Sequence, residues 1–269
     1  ENGAPQISYI FTTTSMMTDL TLWHYLAIAA LGIVASIVNI LAGGGSNLIL
    51  PLLMIFGVPP DIANGSNRVG IFFQSIAGIR GFKQADKLPT ADLRGILVPM
   101  MLGGLVGSLL ASILPNSVLK PALLLTMLGV AAITFFKPGL LLTPENAKVR
   151  KVADTPWAWP LLFAAGVYGG FVQAGAGFLM LPLFAGVLGF DLVRANALKM
   201  VCTLAFTAVS LAVFIWYGKI WWLVGGVLSV GNIIGAVIGV RLALKLSPNT
   251  MRWILFVMTL VAVAGALWK

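Results

Sequence analysis

Apolar runs of bilayer-spanning length dominate this chain, and two of them are cut short next to glycine clusters, where no water could hydrate a broken backbone. Apolar segments fall at about 21–42, 47–57, 62–82, 93–114 and 118–136, and again at about 158–174, 178–189, 194–217, 220–244 and 250–268. A spanning helix takes about 20 residues, and segments of about 10–14 are re-entrant or interfacial. The two short segments, 47–57 and 178–189, each follow a glycine group: Gly43-Gly44-Gly45 in "ILAGGGSNLILPLLMIFG", and Gly175-Ala176-Gly177 in "QAGAGFLMLP". Only 9% of residues are charged and 59% are hydrophobic, against about 25% charged in soluble domains. The chain therefore reads as an all-α polytopic membrane protein. Its polar opening, residues 1–20, carries no basic region of the kind that begins a cleavable signal.

The two halves repeat. Displaced by 132 residues, Ala42-Gly43 falls on Ala174-Gly175, Gly45 on Gly177, Gly57 on Gly189, Ala63-Asn64 on Ala195-Asn196, and Lys87 on Lys219. Gly103 and Gly107 fall on Gly235 and Gly239 at the same displacement. This predicts two repeats of five segments, 21–136 and 158–269, joined by a polar linker at 137–157. With alternating sides, Arg80, Lys83, Lys87, Arg94, Lys137, Lys148, Arg150, Lys151, Arg194, Lys199, Arg241, Lys245 and Arg252 share one side, while the other gathers Lys120, Lys219 and Lys269. The basic side is cytoplasmic by the positive-inside rule, which puts the linker inside and both termini outside a bacterial inner membrane. An odd number of segments per repeat makes the second copy inverted. Inverted repeats with interrupted segments at matching positions are the pattern of secondary transporters, whose substrates bind between the repeats near the midplane.

Composition excludes much chemistry. With one cysteine, Cys202, and one histidine, His24, neither an internal disulfide nor a cysteine-ligated metal nor a histidine-based triad inside the membrane is expected, and no cofactor is implied. The net charge of +9 belongs to membrane loops rather than to a nucleic-acid surface. No paired intramembrane carboxylates suggest an enzyme.

The candidate site follows from what remains inside the membrane. All eight acids lie in termini, in loops or at segment ends. Arg68 and Lys199, by contrast, lie within segments, at nearly equivalent positions of the two repeats. Cations without buried acids point to a negatively charged substrate. Guanidinium suits a fork of sulfonyl oxygens, so Arg68 is expected to touch substrate and Lys199 to add longer-range attraction. Snorkelling of the long stems toward the interface is the competing account. The glycine breaks Gly43, Gly44, Gly45, Gly175 and Gly177 expose helix-start amides to an anion. Ser46 and Asn47 are placed to cap the first short helix. Asn64, Ser66, Asn67, Gln173 and Asn196 are further candidate donors.

The run Gly43-Gly44-Gly45 with Pro51, Gly57 and Ala63-Asn64-Gly65-Ser66, and its second copy from Gly169 to Met200, resemble the signature of the TauE/SafE family of membrane transporters. The resemblance extends over the chain from residue 21 onward. It implies transport of sulfite or organosulfonate anions, arylsulfonate uptake included. Asn64 and Lys199 depart from the family's usual residues, which bears on the substrate rather than the fold. An anion channel or uniporter on the same scaffold is the alternative function. The expected partners are the small anion and the lipid bilayer.

Overall fold

The computed structural model describes residues 20–41, 43–136, 148–246 and 250. The tenth apolar segment and most of the polar linker lie outside the described residues. Every regular element among those described is helical. The order is α1 (Leu22–Leu41), α2 (Ser46–Ile55), α3 (Pro60–Gln84), α4 (Leu93–Ile113), α5 (Asn116–Phe136), α6 (Ala158–Phe171), α7 (Ala176–Pro182, continued by a π turn at Leu183–Val187), α8 (Leu192–Trp216) and α9 (Trp222–Lys245).

Among the described residues, four helices, α1, α4, α8 and α9, are long and apolar enough to cross a membrane. Helix α3 is as long as α8, at 25 residues each, but carries "NGSNR" in its middle. The solvent for which this chain is built is evident from where polarity lies. Leu102, Val106, Leu110, Val230, Val237 and Ile238 face outward, while Asn64, Asn67, Arg68, Asn196 and Lys199 are buried. In water that distribution would be inverted; in lipid the hydrocarbon covers the apolar exterior and polar groups turn inward to find one another.

Backbone geometry follows the sequence repeat. Helices α3 and α8 lie 132 residues apart both start to start and end to end. Gly43 and Gly175 take positive φ at 91° and 76°, Gly57 and Gly189 at 83° and 77°, and Asp86 and Gly218 at 53° and 65°. The packing is likewise exchange-symmetric: α4 packs along α6 as α9 packs along α1, α9 packs on α3 as α4 packs on α8, and α3 meets α8. Each half is thus built against the other. Glycines set the closest of these approaches. Gly103 and Gly107 in α4 lie against the carbonyls of Phe163 and Val167, and Gly231 and Gly235 in α9 against those of Ala29 and Ile33, the small-residue packing favoured between membrane helices.

The short segments form short helices. Helix α2 has 10 residues, a rise of about 15 Å, half the hydrocarbon thickness. Helix α7 has seven before the π turn. One local expectation changes. Ser46 is the first residue of α2 rather than its cap: Gly45 precedes it in helical conformation, and no side chain caps the helix. Gly45 is pressed against the Ala35 carbonyl and Asn39, so the turn is set by packing. The Ser46 hydroxyl accepts instead from the Asn67 side-chain amide at 3.0 Å.

Candidate functional site at the crossing of two broken helices

The two glycine breaks meet. The Gly177 N–H donates to the Gly43 carbonyl at 3.2 Å, and a Cβ on either glycine would overlap the other's backbone. Only two residues without side chains allow the strands of turn to cross this closely. The chain thereby brings the end of α1 and the start of α2 against the end of α6 and the start of α7.

A broken helix leaves carbonyls without partners, a serious cost where water is scarce. The two buried cations meet that need, each across the repeat boundary. From α3, Arg68 Nη1 donates to Gly169 O at 3.2 Å, and Nη2 to Gly170 O at 2.5 Å and Phe171 O at 3.4 Å. These are the last carbonyls of α6. From α8, Lys199 Nζ donates to Asn39 O at 2.7 Å and Ile40 O at 3.0 Å, among the last carbonyls of α1. Cations at helix C-termini are also favoured by the helix dipole. Asn64 and Asn196, equivalent in the repeat, hold the two cations in place. Asn64 Oδ1 accepts from Arg68 at 3.3 Å and Asn196 Oδ1 from Lys199 at 2.7 Å. Asn64 also donates to Phe171 O at 2.8 Å. The Arg68 guanidinium lies 4.6 Å from the Phe214 ring centre. Neither cation snorkels; both are fully buried. Among the described residues, ion pairs join Arg194 to Asp191 and Lys219 to Asp61, so no carboxylate neutralises Arg68 or Lys199.

Beside the crossing lies a small cavity. Its polar wall is Asn39, Ser46, Gln173, Lys199 and Thr203, with Ala176 and Gly177 contributed by the start of α7. Ile71, Met180 and Phe206 form the apolar side. The space open to the centre of a water molecule is about 10 Å³, room for about one water. Gln173 adopts φ 63° and its amide donates to Thr207 Oγ1 at 2.9 Å. Its Oε1 is buried without a partner.

The predicted residues thus separate. Ser46, Gln173, Gly177 and Lys199 are at the cavity wall. Gly43, Gly44, Gly45 and Gly175 form the crossing turns, with Gly44 against the Phe178 ring. Asn67 supports Ser46, and Ser66 accepts the Trp221 N–H at 2.8 Å at the start of α9. Asn47 is half-buried with an unpartnered Oδ1. Arg68, Asn64 and Asn196 are not on the wall; they hold the helix ends behind it. Sequence reasoning passed over Asn39 and Thr203. Both left a signal. Asn39 is the one amide in the apolar helix α1, immediately before the break. Lys199, Thr203 and Thr207 recur every four residues, which places them on one face of α8.

Comparison with known proteins agrees with this architecture. Residues 28–266 match the family model described as "Sulfite exporter TauE/SafE". The chain is 28% identical to a Haemophilus influenzae protein named "Probable membrane transporter protein", over 87% of this chain and 90% of that one. It is 26% identical to the Escherichia coli K12 protein "Probable membrane transporter protein YfcA", over 96% and 94%. A Sinorhizobium protein, "Probable membrane transporter protein ORF9", is 25% identical over 91% and 92%. With a family match running from the first spanning helix into the last apolar segment, this chain belongs to the TauE/SafE family of membrane transporters.

Proposed function

We propose that the protein carries a small sulfur oxyanion, sulfite or an organosulfonate, bound where the two broken helices cross. The observation that carries this reading is Lys199: a fully buried ammonium on a cavity wall with no carboxylate partner among the described residues. An uncompensated buried cation is costly, and an anionic substrate would supply the missing charge. The hydroxyls of Ser46 and Thr203 are donors of the kind that sulfonyl oxygens accept. Ile71, Met180 and Phe206 offer an apolar surface to an alkyl or aryl substituent. The family model's description as a sulfite exporter supports the same class.

In this reading Lys199, Ser46, Gln173, Thr203 and the glycine turns bind the anion directly. Arg68 acts by holding the end of α6 in place. The halves 21–136 and 158–269 rock against each other about the crossing, with the 137–157 linker cytoplasmic and both termini external. A cavity with room for about one water must enlarge to admit a sulfonate, which favours alternating access over a standing channel. Direct binding of sulfite, alkylsulfonates, arylsulfonates and size-matched carboxylates to purified protein tests the reading. A sulfonate or sulfite should bind at least about tenfold tighter than its carboxylate counterpart. Equal binding across the panel, or a single-channel current, would overturn it.

A further inference from the structure

A second feature lies outside the bundle core and is independent of the substrate reading. Between the C-terminal halves of α3 and α9 runs a groove of about 670 Å³. Its floor is the close approach of Gly81 to Val240. One wall carries Phe73, Ile76 and Arg80, spaced along one face of α3; the other carries Ile233, Val237 and Arg241 along α9. Phe73, Ile76, Ile233 and Val237 are among the exposed large apolar residues, so the groove opens to the outside of the bundle rather than toward the cavity at the helix crossing. Both walls are apolar toward the middle of the membrane helices and carry an arginine near the helix C-termini, with Gln84 and Leu244 beyond. No acid lines the groove, and among the described residues neither arginine has an ion-pair partner.

The repeat provides a comparison within the chain. At the corresponding seam between α8 and α4, the positions of Arg80 and Arg241 are Ala212 and Leu109. The same helix packing therefore does not require charge there. The arginine pair belongs to the end of the bundle that carries the basic loops, where a bilayer presents phosphate headgroups above its acyl chains.

We infer that this groove binds one anionic phospholipid, with its phosphate between Arg80 and Arg241 and an acyl chain along Phe73, Ile76, Ile233 and Val237. Two guanidiniums can each form a forked contact with phosphate oxygens. The apolar stripe supplies the complementary surface for a chain, and basic pockets between membrane helices are suited to such headgroups.

The experiment uses the purified full chain, delipidated in detergent. Phosphatidylglycerol and phosphatidylcholine with identical acyl chains are added, and retained lipid is counted by native mass spectrometry. Phosphatidylglycerol should be retained about 10- to 30-fold more tightly. The exposed double variant R80Q/R241Q should lose that preference to within about twofold. The variant K148Q/K151Q removes two exposed cations outside the residues that line the groove and should keep it. V237W, which fills the apolar part without changing charge, should lower retention. Equal retention of both lipids would overturn the assignment, as would equal losses in K148Q/K151Q and R80Q/R241Q. So would displacement of the lipid by millimolar inorganic phosphate, which would mark a free-phosphate site. Loss of self-association in R80Q/R241Q with lipid retention unchanged would make the face an interface between copies and equally refute the lipid.

Discussion

Replacing Lys199 by methionine separates binding from helix capping. Methionine keeps the length and bulk of the stem but removes the charge and three donors, those to Asn39 O, Ile40 O and Asn196 Oδ1. Two orphaned carbonyls cost about 1–3 kcal/mol each. Removing a buried unpaired cation returns several kcal/mol of desolvation. The two effects oppose each other, so the net change in stability is small, within about 2 kcal/mol. In the proposed reading, binding has no such compensation, because the anion loses Lys199, the cation at the cavity wall among the described residues. A charge-assisted contact of about 1.5–3 kcal/mol corresponds to a loss of affinity of roughly ten- to a hundredfold. Arg68→Met should behave in the opposite way. It strips the donors to Gly169 and Gly170 and one of two to Phe171, together with the contact with Phe214; set against the same return of desolvation as at Lys199, the net loss of stability is about 1–3 kcal/mol. Its affinity loss should stay below about tenfold, since Arg68 does not line the cavity. The assays are thermal unfolding and equilibrium binding of sulfite and an arylsulfonate to both purified variants. Folded Lys199→Met protein with unaltered affinity would refute the assignment. A larger affinity loss in folded Arg68→Met than in Lys199→Met would return the direct contact to the arginine.

Gly43→Ala and Gly177→Ala should each abolish a stable fold, seen as loss of a monodisperse peak and of a cooperative melt. Gly226→Ala, with open space around its Cβ position, should be neutral or stabilising by about 0.5–1 kcal/mol. Asp61→Asn breaks the 2.5 Å pair with Lys219, in a site where Asn116 also bonds Asp61. Intermediate burial of the pair sets the expected loss at about 1–3 kcal/mol in thermal or denaturant unfolding; an unchanged melt would show that the pair is only decorative. Lys148→Cys in a Cys202→Ser background should resist an impermeant thiol reagent in intact cells and react after permeabilisation; ready labelling from outside would reverse the proposed topology.

Much of the architecture was legible in the sequence because its causes are local or additive. The solvent is set by composition, the spans by run length, and the two short helices by where glycine interrupts an apolar run. The repeat was legible because equivalent residues keep one constant displacement, and the backbone agrees down to the positive φ of Gly43 with Gly175 and Gly57 with Gly189. The same reasoning singled out Arg68 and Lys199 as cations within the segments, and both are buried; a membrane helix tolerates a buried cation only with a partner. What the sequence left open was which partner. Arg68 reaches carbonyls 101 to 103 residues away, and Lys199 reaches them 159 and 160 residues away. Backbone carbonyls carry no mark in a sequence, because every residue has one. Only the packing of each half against the other decides which are orphaned by a break and which cation stands beside them. That packing turns two cations expected to converge on an anion into reciprocal helix caps, and leaves Lys199, with Asn39 and Thr203, on the wall of the cavity.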